Sequence, residues 1–359
     1  MNYINKSISI AGKELKNKLK KIDLNSFEIS DYNKRYFGSL IKDEQSLNLN
    51  INKYSYLLKL ALKKYNYDIN NKPVFLDYGS GHGMMTLLAK QTNLFSIVIY
   101  SDIFDQSAID AEFIAEKLIL KSDYYIVGDV NVIKEFTDQH YFKIYIMTSY
   151  YVLEHIYNIE DFIYNLKYIF DFKFSFVMGS GANPLNPLIE RRLRKLHLYF
   201  ENYNRDEMFG RKSTDTIMSL KKQRELIIKE FCLIQKINFS STELNDFVLK
   251  SRGLIRMDIE RYLLDYKKTG NFNYLPDDPT NTCDALTGNW FERLMNPYNL
   301  QIKFNSEFNK IFVDHGYYYS IISNKYFIPK VLINLVMKLI PRKLSIRLAP
   351  YYIIHGINS

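Results

Sequence analysis

With 359 residues, 47% of them hydrophobic and 24% charged, the chain can bury a large core, and its composition excludes a fibrous, repetitive or low-complexity protein. Its two cysteines, Cys232 and Cys283, exclude a disulfide framework and a four-cysteine zinc site. With no secretion-signal pattern, they point to a reducing, cytoplasmic compartment. The net charge of +9 accompanies lysine, asparagine, isoleucine and tyrosine spread along the whole sequence, so it argues only weakly for a nucleic-acid partner.

Residues 1–70 read as a helical segment. "AGKELKNKLKKI" is basic and amphipathic, and "NINKYSYLLKLALKKYNY" repeats apolar residues at helical spacing. From Pro73 short β-rich runs alternate with amphipathic stretches. The runs lie near 73–78, 95–102, 123–128, 142–148 and 172–180. Such alternation predicts βαβ units, a parallel sheet and right-handed crossovers, with helices on both faces. After "GANPLNP" the alternation stops, and residues 187–310 read mostly as helices. Strand character returns at "GYYYSIIS" (316–323) and "PYYIIHGIN" (350–358). The predicted division is a helical segment 1–70, an α/β core 71–182, a helical insertion 183–310, and closing strands of the core in 311–359.

The apolar stretch Val331–Ile340 is about ten residues long, whereas a spanning helix needs about 20. A helix joining the last two strands is the preferred reading. Interfacial membrane contact through residues 325–348 is the alternative, because Lys325, Lys330, Lys338, Arg342, Lys343 and Arg347 flank or interrupt the stretch.

The chemistry concentrates in "VFLDYGSGHGMM", where Asp77, Gly79, Gly81 and Gly83 stand at alternate positions between a predicted strand and a predicted helix. Glycine there allows a ligand to approach the backbone, and the helix start offers free N–H groups to an anion. A P-loop would need Gly-Lys-Ser/Thr after four spacer residues, and none is present. A dinucleotide fingerprint would place its third glycine at position 84, which is Met84.

This spacing and its surroundings resemble the class I S-adenosylmethionine-dependent methyltransferases, from residue 73 to about 180 and more loosely over 311–358. "IVIYSDIF" ends a second strand at Asp102, "YIVGDV" a third at Asp129, and "IMTSYYVLEHI" matches the fourth strand and its Val-Leu-Glu-His continuation. The resemblance implies a doubly wound, seven-stranded, mostly parallel sheet, with the helical insertion between strands five and six. It also implies S-adenosyl-L-methionine as cofactor. Asp102 would accept from both ribose hydroxyls, Ile103 would pack on the adenine, and Asp129 would contact the adenine amino group. Ser80, Val130 and Ser149 would complete the cofactor site with Asp77, Gly79, Gly81 and Gly83. Asp77 can hold the amino-acid end of such a ligand, and the glycine-loop amides suit its carboxylate. Asp105 reads as the cap of the next helix. Lys143 stands where the family usually starts its fourth strand with aspartate, and His82 varies the glycine loop.

The acceptor is less legible. Thr148-Ser149-Tyr150-Tyr151 follows the fourth strand in place of the Asn/Asp-Pro-Pro-Tyr/Phe motif of some base-modifying enzymes, and "ANPLNP" follows the fifth strand. Tyr150, Glu154, His155, Ser180 and Asn183 are candidates to line the acceptor pocket. His155, with Glu154, is the candidate general base, since imidazole titrates near neutral pH; a structural pair is the blander reading. The spacing of His155 and Asp161 and the isolated His197 do not make a metal site. The insertion would act as a lid, and its run Arg191, Arg192, Arg194, Lys195 suits a phosphate-bearing acceptor or else a solvated helix face. These features favour methylation of a small molecule, preferably a sugar or glycan-precursor hydroxyl, with nucleic acid disfavoured. Protein or RNA methylation and non-catalytic cofactor binding remain as alternatives.

Overall fold

The computed structural model describes residues 2–65, 67–204, 218–274, 276, 278–319 and 327–358. The N-terminal segment forms α1 (Asn2–Leu19), α2 (Asp31–Ile41) and α3 (Glu44–Tyr65). Strands and helices then alternate: β1 (Val74–Tyr78), α4 (Met84–Thr92), β2 (Ile97–Asp102), α5 (Asp105–Leu118), β3 (Tyr124–Val127), α6 (Val130–Gln139), β4 (Ile144–Tyr150), α7 (Ile159–Ile169) and β5 (Phe170–Ser180). Four helices follow: α8 (Pro187–Asn202), α9 (Leu220–Gln235), α10 (Ser241–Lys250) and α11 (Arg256–Thr269). The chain ends with α12 (Pro297–Asn305), β6 (Ile311–His315), α13 (Phe327–Leu339), α14 (Arg342–Leu348) and β7 (Tyr352–Asn358).

The strands are apolar because both faces of the sheet are covered, as parallel sheets require. β1 is buried at all five positions. The strand order is β3-β2-β1-β4-β5-β7-β6, and β7 alone runs antiparallel, to both β5 and β6. This is the doubly wound seven-stranded sheet that the resemblance implied. The order reverses between β1 and β4, and in open α/β sheets ligands bind at that switch point, outside the carboxyl ends of the strands. Register sets which residues meet there: Asp77 lies beside Tyr100 and Thr148, and Tyr150 beside Gly179.

Two expectations are corrected. The sixth strand is Ile311–His315, not "GYYYSIIS"; residues 316–319 carry no strand, and 320–323, like Lys325, lie outside the described residues. The tyrosines and isoleucines suggested a strand by propensity. The pairing positions along Tyr352–Gly356 are already taken by Ile311–His315, and the Gly316 amide turns to the Tyr351 carbonyl. Asp105 is not a helix cap. Phe104 holds that position, its amide bound by Asp102 Oδ1 at 2.9 Å, and Asp105 is the first helical residue.

The chain forms two compact units: Met1–Leu153 with Ile159–Ser180 and Pro297–Ser359, and Glu154–Asn158 with Gly181–Asn296. In the first, α1, α3 and α4 bury Ile8, Leu15, Leu57, Leu58 and Leu87 in one core with Phe75, Val98, Ile146, Val177 and Ile353 of the sheet. The opposite face meets α7 and α12, with Tyr78 against Phe162 and Phe176 against Phe304. α2 is anchored through its cap: Ser30 and Asn33 both bond the buried carboxylate of Asp110 on α5.

The second unit centres on Ile227, Ile228, Phe247, Val248, Ile259 and Leu263 from α9, α10 and α11. Glu201 and Arg224 form a fully buried ion pair there; Glu201 also accepts from Thr282, and Arg224 donates to the Val248 carbonyl. In the basic run, Arg194 is committed to Glu190, Asp278 and Thr280, while Arg191, Arg192 and Lys195 are exposed.

Candidate functional site

β1 delivers the chain into a loop whose three glycines all adopt left-handed backbone: φ is +70° at Gly79, +52° at Gly81 and +75° at Gly83. L-residues other than glycine are strained there, which explains the alternate spacing. A Cβ at Gly79 would meet Val152 Cγ2 at 2.3 Å, whereas one at Gly81 would meet nothing within 4 Å. Gly79 therefore serves packing, and Gly81 faces open space. Ser80 braces the turn, with its hydroxyl on the Asp77 carbonyl at 2.8 Å and its amide on the Ser101 carbonyl at 2.8 Å. Gly83 opens α4 at its N-terminus.

The acids divide by environment. Asp77 is buried, and Thr148 Oγ1 donates to its Oδ1 at 3.1 Å. Burial raises its pKa to about 7, with the Asp102 charge adding to the rise and the hydroxyls of Ser80 and Thr148 opposing it. Asp102 Oδ2 accepts from the Gly81 amide at 2.8 Å, and Tyr100 donates its hydroxyl to the Gly81 carbonyl at 2.6 Å, so β2 holds the loop from both sides. Burial raises the Asp102 pKa, against the amide bonds it accepts. Asp129 caps α6, accepting from the Asn131 and Val132 amides, with Asn131 Nδ2 on its second oxygen. Ile103 leaves its side chain 64% exposed beside Asp102, while Val130 is buried. Ser149 is buried, and its Oγ has no hydrogen-bond partner among the described residues.

A group that sequence reasoning missed lies next to the loop. Lys53 of α3 places Nζ 4.6 Å from the Tyr150 ring centroid, 4.9 Å from Tyr54 and 5.7 Å from Tyr151. Burial alone lowers its pKa to about 8. His82 accepts the Met84 amide on Nδ1 at 3.1 Å, so its Nε2–H faces the Tyr54 hydroxyl at 3.3 Å. Burial and the Lys53 charge hold its pKa down to about 3, which keeps the ring neutral. Tyr36 and Phe37 of α2 lie against the same imidazole at 5.2 and 5.9 Å. Tyr151 adopts φ +61°, a strained value for tyrosine, with its amide on the Gly179 carbonyl. Helical periodicity placed Lys53 on an amphipathic helix, and no local signal marked it as facing the loop.

The remaining candidates separate. Tyr150 joins the Lys53 group, edge-on to Tyr54 and Tyr351. Ser180, the last residue of β5, is buried beside Tyr352. Glu154, His155 and Asn183 belong to the second unit. Glu154 is buried, with Oε1 accepting from the Gly181 amide at 3.0 Å. His155 Nδ1 donates to the Trp290 carbonyl at 2.8 Å. Asn183 turns its Oδ1 onto the Leu185 amide, and Asn186 caps α8, so "NPLNP" is a turn leading into a helix. His197 is buried between Thr280 and the Glu292 carbonyl. Among the described residues no three His, Cys, Asp or Glu side chains converge as a metal site.

The seven-stranded, mostly parallel sheet is the one that the resemblance to the class I methyltransferases implied. No family model and no curated protein sequence matches the chain. Solved structures do. SMU.776, crystallised with SAH, is 12% identical over 37% of this chain and 37% of that one, with a TM-score of 0.28. An S-adenosylmethionine-dependent methyltransferase from Clostridium acetobutylicum is 14% identical over 51% of this chain and 66% of that one, with a TM-score of 0.33. MtNAS in complex with MTA and tNA is 14% identical over 50% and 57%, with a TM-score of 0.31. The chain thus spans between about a third and two thirds of the length of these structures.

Proposed function

We propose that the protein is an S-adenosylmethionine-dependent methyltransferase acting on the hydroxyl of a small molecule, a sugar or glycan precursor. The observation that carries this is the left-handed triad Gly79, Gly81 and Gly83, held at the sheet's switch point by Asp102 and opening beside Asp77. The residues fit such a ligand. Gly81 leaves room for it, Asp77 and Asp102 offer carboxylates to an amino group and a ribose, and exposed Ile103 offers an apolar face to a base. The orphaned Ser149 hydroxyl adds a polar group at the end of β4. Asp129 has one carboxylate oxygen tied to its helix cap and the other open to a further donor besides Asn131.

Bound S-adenosylmethionine supplies a methyl carbon activated by sulfonium. Transfer of that methyl to an acceptor oxygen would release sulfur as the neutral thioether and would leave the chain a proton to take from the oxygen. The protein's work is alignment and proton removal. Two side chains have the chemistry of a base for that proton: His155, an imidazole anchored through Nδ1 to the Trp290 carbonyl, and Lys53, whose amine is partly neutral near pH 8. Tyr36, Tyr54, Tyr150 and Tyr151 give the acceptor side rings that can stack on a sugar face and hydroxyls that can bond it. Isotope-labelled methyl donor incubated with the protein and fractionated cell extract tests the reading. Label in low-mass sugar fractions supports it, and label in RNA or protein overturns it. Loss of label in only one of His155→Gln and Lys53→Met identifies the base.

A further inference from the structure

α13 lies on the surface in an unusual way. Ile328, Val331, Leu332, Leu335, Val336 and Leu339 follow the i, i+3, i+4, i+7, i+8, i+11 rule of one helix face, and all six are exposed, Leu339 by 85%. An amphipathic helix of a globular protein ordinarily turns that stripe inward. Here the inner face is a different one. Met337 is buried, and Asn334 is fixed by two bonds to Tyr318, its Nδ2 donating to the carbonyl at 2.8 Å and its Oδ1 accepting the amide at 2.9 Å. α14 is pinned likewise by buried Ser345 and Ile346, with Ser345 Oγ bonded to His315 Nδ1 at 2.8 Å, and it leaves Leu344 and Leu348 outside. These anchors set the stripe's outward aspect.

The charge carried by these two helices has one sign. Asp314 is the last acidic residue of the sequence, whereas residues 327–349 carry Lys330, Lys338, Arg342, Lys343 and Arg347. Of these only Arg342 has a carboxylate partner, Asp314 at 3.1 Å, among the described residues. An exposed apolar helix face on a segment whose charged residues are all cations complements an anionic lipid surface, where apolar side chains enter the acyl boundary and cations meet the headgroups. No described helix is long and apolar enough to cross a membrane.

We propose that α13 and α14 form a docking face for anionic membrane surfaces, lying along the bilayer interface. The topology gives this face a further meaning. The pair of helices leaves the carboxyl end of β6 and returns at the start of β7, beside Ser180, at the end of the sheet that also carries the glycine loop. Docking would bring that end of the sheet toward the lipid, so the acceptor would be held at the membrane surface. This consequence rests on the methyl-transfer reading, whereas the docking does not.

The test is flotation of the full chain with vesicles of phosphatidylcholine alone and of phosphatidylcholine with about a third phosphatidylglycerol, at low and high salt. The expected result is flotation with the anionic vesicles, weakened by salt and abolished in Leu332→Glu with Leu335→Glu. Lys338→Gln with Lys343→Gln should weaken the partition roughly thirtyfold, at about fivefold per cation. Unchanged circular dichroism and melting temperature certify both variants, whose substituted residues are exposed. Absence of flotation overturns the proposal. So does self-association in sedimentation velocity that the leucine variant abolishes without any vesicle binding, because the stripe would then join two copies of the chain. Calorimetry with S-adenosylhomocysteine on the same samples reports the methyl-transfer reading separately.

Discussion

Asp102 accepts the Gly81 amide at 2.8 Å, so the acid that ends the second strand also fixes the loop that follows the first. One carboxylate thus combines two structural bonds, from the Gly81 and Phe104 amides, with a further lone pair on each oxygen for a ligand. Asp102→Ala should weaken S-adenosylhomocysteine binding by about 1–3 kcal/mol, through the lost ligand bond and the loosened loop. Isothermal titration reads this directly. Unchanged affinity would place the ligand elsewhere.

Asp77 makes the site sensitive to pH. Its folded pKa is raised to about 7, so between about pH 4 and 7 the folded chain keeps a proton that the unfolded chain has released. Its contribution to stability is complete at low pH and is lost as pH rises through about 7. Ligand affinity moves the other way. A cationic amino group needs the carboxylate, so donor binding should strengthen from about pH 6 to 8. Asp77→Asn should flatten both profiles, as measured by thermal melts and titrations across that range. A wild-type affinity that falls over the same interval contradicts this role for Asp77.

Two glycines of the loop should respond differently to alanine. Gly81→Ala meets no neighbour within 4 Å and carries only backbone strain, of order 1 kcal/mol. Gly79→Ala adds a clash with Val152 at 2.3 Å and should cost about 2 kcal/mol more. Combining Gly79→Ala with Val152→Ala should recover part of that loss beyond additivity, since Val152 supplies the clash. Chemical denaturation of the four variants decides it.

Lys53 should stand apart from the other lysines in reactivity. Burial beside three tyrosine rings lowers its pKa to about 8, so its neutral amine appears about two pH units earlier than that of a solvent lysine near 10.4. Acetylation rates followed by mass spectrometry across pH should show a Lys53 midpoint near 8. A midpoint above 10 would remove Lys53 as a proton acceptor.

The sequence carried a large share of the core. Short apolar runs separated by amphipathic stretches set the five parallel strands, and glycine at 79, 81 and 83 marked the loop because only glycine is unstrained at those φ values. The same local evidence misplaced the sixth strand. Strand propensity is equally high in "IFVDH" and "GYYYS", and only pairing with Tyr352–Gly356 separates them. It also offered Arg194 to a ligand, whereas folding places Glu190 and Asp278 against it.

What the sequence determined by itself was the periodicity of each element and the residue types at the strand ends, which are local properties. The tertiary structure alone decided which side chains, distant in sequence, share one environment. It brought Lys53 among Tyr54, Tyr150 and Tyr151, and it turned the apolar stripe of α13 outward. A period of 3.6 specifies that a helix has an apolar face, but not what covers it, because that depends on which surfaces the rest of the chain has left free.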